Sequence, residues 1–134
     1  MLDNLSDGFK GEEIIRDFLK NNPNIDVFFQ GDIIYRKIDG KWFISEVKHQ
    51  EKFESPPFDG HGLPPWQIKH RLLFEKERGV IAMLYVIEKG KKENGKHIVY
   101  WNYLNKLNQG KHFDTMGDKP RRVFPLENFN KLLI

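Results

Sequence analysis

The sequence predicts a mixed α/β fold, a mixed β-sheet flanked by α-helices, on three observations. Apolar residues recur at helical spacing before residue 20, two short apolar runs flank an Asp-Gly turn at 39–40, and the uninterrupted run Val80–Ile87 lies between charged segments. The implied order, one helix, three strands, a helix, two strands and a helix, gives one sheet covered by helices.

Each element has a local reason. From about Gly8 to Asn21, Ile14, Ile15, Phe18 and Leu19 form an amphipathic stripe, which Pro23 ends by forcing the preceding residue out of the helical region. "DVFFQ", Asp26–Gln30, reads as a first strand, and Asp32–Lys37 with Lys41–Lys48 as a hairpin. "SPPFDGHGLPP" is a Pro- and Gly-rich loop. It leads into the helix "WQIKHRLLFEKERG", with Pro65 near its start and Gly79 just past its end. "VIAMLYVIE" is β-rich without alternation, as a strand buried on both faces should be. "KGKKENGK" is a charged turn and "HIVYWNYL" a further strand. "FPLENFNKLLI" is expected to close the chain as a helix with Leu126, Phe129, Leu132 and Leu133 inward.

Composition bounds the class. The 134 residues suit a single domain spanning 1–134, large enough for one continuous core. The absence of Cys excludes disulfides and thiolate metal sites and fits a reducing compartment. Val80–Ile87 is far shorter than a membrane span, and "MLDNLSDGFKGEE" lacks the layout of a signal peptide, so a soluble, cytoplasmic protein is expected. The net charge of +3 is mildly basic, with Lys and Arg gathered at Lys69–Arg78, Lys89–Lys96 and Lys119–Arg122. Such clusters are compatible with a polyanionic partner and equally with solvated faces.

The hairpin carries the chemistry. Strand alternation puts Trp42, Ile44, Glu46 and Lys48 on one face, with Phe43, Ser45 and Val47 on the other. A two-residue Asp39-Gly40 loop would turn Asp32 away from Glu46. A three-residue loop, Ile38-Asp39-Gly40, with Gly40 left-handed in a bulge, pairs Lys37 with Lys41 and sets Asp32 opposite Glu46. The three-residue loop is expected. Two such carboxylates, with a carbonyl and waters, form an oxygen-rich site suited to Mg²⁺ or Mn²⁺, ions that activate water against phosphate esters. Lys48, further along the same face, is placed to orient that water or to stabilise charge on the phosphate. The plainer alternative is a hairpin whose exposed face carries Glu and Lys as a surface ion pair.

Asp32, a hairpin, then Glu46-Val47-Lys48 at the end of the next strand resembles the PD-(D/E)xK nuclease superfamily. "GEEIIRDFL" resembles the first helix of archaeal Holliday-junction resolvases, where the Glu after Gly reaches toward the metal, and Gln67 resembles the Gln that many members place beside the catalytic Lys. The run "FESPPFDGHGLPPWQIKH" is similar to the Phe-Pro-rich link of RecU-type resolvases. Gly31 stands where the name-giving motif has proline, and the stalk inserted in RecU-type enzymes has no counterpart between Asp32 and Glu46. The resemblance covers roughly Gly8 to Leu104. It implies a restriction-endonuclease-like core, with Asp32, Glu46, the Val47 carbonyl and Glu12 holding Mg²⁺, and Lys48 and Gln67 positioning water and phosphate. Glu13 lies on a different helix face from Glu12, and first-turn acids also suit a helix N-terminus without any catalytic role.

Other residues are weighed for substrate contact. Arg71, four residues after Gln67, shares its helix face and suits DNA phosphate, as does Lys69. Among the histidines, His61 in "DGHG" is expected in a flexible loop able to touch substrate, whereas His49 and His70 are expected to be solvated. Trp66, Trp101 and Tyr103 suit base stacking, although aromatic residues at strand spacing are more often core. Lys119, Arg121 and Arg122 suit backbone contacts.

The expected function is a Mg²⁺-dependent DNA endonuclease, structure-selective in the manner of a Holliday-junction resolvase. A homodimer would be needed to cut two strands symmetrically. The alternatives are a restriction or repair nuclease on the same core, a catalytically inactive nucleic-acid-binding module, and a basic domain that binds protein.

Overall fold

The computed structural model describes residues 2–29, 33–54 and 57–134, with the side chains of residues 2–9 and 26–29 left aside. Among these, the helices α1 (Leu2–Lys20), α2 (Pro65–Arg78) and α3 (Leu104–Gln109) surround two sheets. The larger contains, in spatial order, β1 (Ile25–Phe29), β2 (Ile34–Lys37), β3 (Trp42–Gln50), β5 (Ile81–Glu93), β6 (Lys96–Tyr103) and β9 (Asn130–Leu133). The smaller contains β4 (Gly60–Leu63), β8 (Arg122–Pro125) and β7 (Phe113–Asp114). The fold is mixed α/β, as expected. No helix among the described residues is long and apolar enough to cross a membrane.

The three-residue loop is present. Lys37 N donates to Lys41 O at 2.9 Å and Gly40 N to Lys37 O at 2.9 Å, the pattern of a type I turn closed by a bulge. Gly40 has φ +88°, which glycine adopts without a Cβ penalty, and Asp39 Oδ1 accepts from Lys41 N at 2.9 Å. The pairs Arg36/Trp42, Tyr35/Phe43 and Ile34/Ile44 follow, and Ser45 N donates to Ile33 O at 2.9 Å.

β3 runs parallel to β5, and α2 makes the crossover between them. Pro65 opens α2, and Glu75 Oε1 accepts from Ala82 N at 2.8 Å, stitching the helix to the start of β5. Ala82–Glu88 are all buried, so β5 is the central strand its apolar run predicts. The two faces of the sheet carry separate cores. Ile15 and Leu19 of α1 pack with Tyr35, Phe43, Met83 and Tyr85, whereas Ile68 of α2 packs with Ile44, Leu84, Val86 and Phe124.

Three expectations fail. The charged turn at 89–96 is mostly strand: β5 continues to Glu93 and a two-residue Asn94-Gly95 turn, both at positive φ, returns the chain into β6. The closing helix is absent. Pro125 ends β8, residues Leu126–Asn128 make a single 3₁₀ turn, and Asn130–Leu133 pair with β6. Leu and Phe at those spacings fit a helical stripe, but a short apolar run is ambiguous, and β6 offers a sheet edge whose backbone groups pair along β9. The loop "DGHGL" is also partly strand. A Cβ on Gly60 would lie 2.0 Å from Phe124 O, and one on Gly62 1.9 Å from Arg122 O, so only glycine lets β4 lie this close to β8.

Candidate active site

Alternation along β3 turns Ile44, Glu46, Lys48 and Gln50 toward α2 and the smaller sheet. Ile44 joins the Ile68 core, and Glu46 Oε1 accepts from Arg71 Nε of α2 at 2.6 Å. The Glu46 side chain is 12% exposed and that of Arg71 29%, so this charge-assisted bond is shielded on one side only.

Beside Glu46 lies a cavity of about 100 Å³ lined by Glu12, Arg16, Ser45, Glu46, Val47 and Arg71, among others. It collects residues from both sides of the sheet. Ser45 aims its N–H at β2, so Val47, two residues on, presents its backbone carbonyl toward the same flank. Glu12 arrives from α1, which rests on the sheet at Gly11, where a Cβ would stand 3.0 Å from His49 Cβ. Glu12 rather than Glu13 lines the cavity, and Arg16, one turn later, pairs with Glu12 at 3.6 Å. Arg16 escaped the sequence reading, although its i,i+4 spacing from Glu12 was visible.

Lys48 projects from the same β3 face as Glu46. Burial holds its ammonium below the usual lysine range, Glu46 and Glu12 oppose that shift, and Arg121 and Arg71 reinforce it. Thus Glu46, Glu12, Arg71 and Arg121 all lie within electrostatic reach of Lys48. Gln67 is half-buried one turn before Arg71 on the same helix, but it does not line the cavity. Asp32 lies outside the described residues. Among the described residues no three His, Asp or Glu side chains cluster tightly enough to hold a metal. Glu12 and Glu46, which line the cavity, supply hard oxygen donors of the type that Mg²⁺ and Mn²⁺ prefer, each paired with an arginine.

One of the expected DNA contacts is corrected. His61 belongs to no flexible loop: it is fully buried in β4, with Nδ1 3.2 Å from Gln50 Oε1 and Nε2 3.3 Å from Glu88 Oε1. Gly62 N also donates to Gln50 Oε1 at 3.2 Å, so Gln50 and His61 clasp β4 to the main sheet. Burial pushes the His61 imidazole below its usual range, and the Glu88 carboxylate opposes this. Arg122 opens β8 with its guanidinium already bound, at 2.9 and 3.1 Å to Asp114 and at 2.9 Å to Asn108. That pairing holds the Asp114 carboxyl below the usual range. Lys69, Lys119 and Arg121 are exposed, and Trp66, more often core by type, is 70% exposed.

Comparison with protein-family models, with curated proteins and with solved structures gives no match.

Proposed function

We propose that this protein is a metal-dependent endonuclease of the PD-(D/E)xK type that hydrolyses DNA phosphodiester bonds, with branched DNA as its preferred substrate. The observation that carries the reading is the convergence of Glu12, Glu46 and the Val47 backbone on one small polar cavity, with Lys48 alongside. The helix, antiparallel strands, crossover helix and parallel β5 occur in the order that such a core requires. The three-residue loop is the one on which pairing of Asp32 with Glu46 depends, and the described pairs from Lys37 to Ile33 keep that register.

In this reading Asp32, Glu46, Glu12 and the Val47 carbonyl hold Mg²⁺, for which Mn²⁺ substitutes. When bound, such an ion acidifies water and polarises a phosphoryl oxygen. Lys48, on the same strand face as Glu46, orients that water or stabilises charge on the phosphate. Arg71 fixes one Glu46 oxygen, and Arg121, Lys119 and Lys69 grip the backbone. A homodimer would supply paired cuts.

One observation favours a second reading: Arg71 already neutralises Glu46, as it would in a nucleic-acid-binding module without catalysis. Cleavage of labelled four-way junctions, duplex and single strands in Mg²⁺, Mn²⁺ or EDTA separates the two. Metal-dependent cutting that falls by on the order of 100-fold or more in Lys48→Ala and Asp32→Asn supports the nuclease. Binding without cutting selects the module, and symmetric paired cuts confined to junctions select the resolvase over a duplex nuclease.

A further inference from the structure

The outward face of α2 carries a feature that the cavity chemistry does not use. Trp66, Lys69, Leu73 and Lys76 follow one another at i, i+3, i+7 and i+10, so they form one stripe along the helix. Trp66 is 70% and Leu73 49% exposed, an unusual outlay of apolar surface on a helix this polar. Beneath them runs a groove of about 550 Å³, floored by Pro65, Ile68 and Leu72 and closed on the far side by Asn108 and Arg122. Lys69, Lys76 and Arg122 are its charged lining residues among those described, with Arg122 already paired to Asp114.

We infer that this groove binds unpaired nucleotides of a nucleic-acid strand, with a base stacked on the Trp66 indole and the flanking phosphates on Lys69 and Lys76. An indole face takes any base, but only one that has left its stack, which a duplex does not offer. The two lysines, seven residues apart on a helix, stand about 10 Å apart along the axis, so they follow a strand that runs beside α2. The charge pattern argues against other occupants. Lysine is depleted in the cores of protein interfaces, and a second copy seated groove to groove would bury Lys69 and Lys76 of both copies in one seam. Arg71 lies on the opposite flank of the same helix and faces the proposed active site, so α2 stands between a strand held here and that site. The inference deepens the nuclease reading, because it assigns to α2 the unpaired segment of a branched substrate, and it rests on that reading for the class of ligand.

Binding without cleavage tests it. Anisotropy of a labelled oligothymidylate and of a duplex of equal length is measured in EDTA for wild type, Trp66→Ala, Trp66→Phe and the double variant Lys69→Gln/Lys76→Gln. The expected result is single-strand affinity reduced about tenfold or more in Trp66→Ala, largely kept in Trp66→Phe, with duplex affinity unchanged. The lysine variant should lower the slope of log affinity against log salt by roughly 1.4, two phosphates' worth on a single strand. Trp66→Ala binding the single strand as wild type does overturns the inference and leaves the nuclease reading standing. A Trp66-dependent self-association in sedimentation overturns it in favour of a second copy. If the wild type binds neither DNA, both the inference and the nuclease reading fall.

Discussion

Arg71 Nε lies 2.6 Å from Glu46 Oε1, and this single bond ties the crossover helix to the strand that carries the proposed chemistry. It joins α2 to β3 across 25 residues of sequence, at the point where the sheet opens into the polar cavity. A carboxylate that is 12% exposed needs a partner, and here the partner comes from the helix face that also bears Gln67.

Removing that partner should therefore be felt in folding. Arg71→Ala leaves the Glu46 carboxylate largely desolvated and is expected to destabilise the protein by about 1–2 kcal/mol, a value discounted for the solvent that reaches Arg71. Urea denaturation of Arg71→Ala, Glu46→Gln and the double variant measures the coupling. Strictly additive losses would mean that the pair contributes nothing to stability.

His61 makes stability depend on pH. Burial holds its folded-state pKa below the ordinary 6.5, so as pH falls through 6.5 the unfolded chain takes up a proton that the folded protein does not. Stability is complete above that pH, declines below it, and levels off once the buried imidazole itself titrates. Glu88 and Gln50 face the ring, Lys52 adds to the shift, and Tyr100 lies tilted beside it, ring centroids 5.5 Å apart. Melting temperatures between about pH 8 and pH 5 should fall, and His61→Gln should flatten most of that fall. His97, also held low by partial burial, accounts for a residual slope. An unchanged slope in His61→Gln would show that the clasp does not titrate.

Gly62→Ala and Gly40→Ala separate two reasons for glycine. At Gly62 the new methyl would lie 1.9 Å from Arg122 O, so β4 must move off β8, at a cost of roughly 2–3 kcal/mol. At Gly40 nothing lies within 4 Å, and only the left-handed backbone is strained, by about 1–2 kcal/mol. Because β8 starts next to Arg121, Gly62→Ala should also weaken DNA binding, whereas Gly40→Ala at the far end of the hairpin should not. Thermal melts with DNA titrations check both, and equal effects on binding would remove Arg121 from the proposed interface.

Much of the fold was legible because its causes are local. Asp39-Gly40 specifies its own loop through an Asp side-chain bond and a left-handed glycine. Pro65 and Gly79 bracket α2, and the run at 81–88 could be little but a central strand. The proposed site was legible to the same depth: strand alternation alone put Glu46 and Lys48 on one face.

What escaped depended on distant backbone. "GHG" between prolines reads as a loop, and only the approach of β8 makes it a strand that buries His61. "NFNKLLI" carries a pattern that either helix or strand can use, and the free edge of β6 decided between them. Likewise, Trp66 lies in the open because α2 turns Ile68 into the core, with Leu72 and Phe74 half-buried against it.

The sequence by itself determined the α/β class, the hairpin with its loop, the crossover helix and the face on which Glu46 and Lys48 stand. Only the tertiary structure decided that Glu12 rather than Glu13 reaches the cavity, that Arg71 holds Glu46, that Arg122 is bound to Asp114, and that His61 is core. Turns, caps and alternation follow from chemistry within a few residues, whereas these four outcomes depend on which surfaces meet across the sheet, and that is set by the packing of the whole chain.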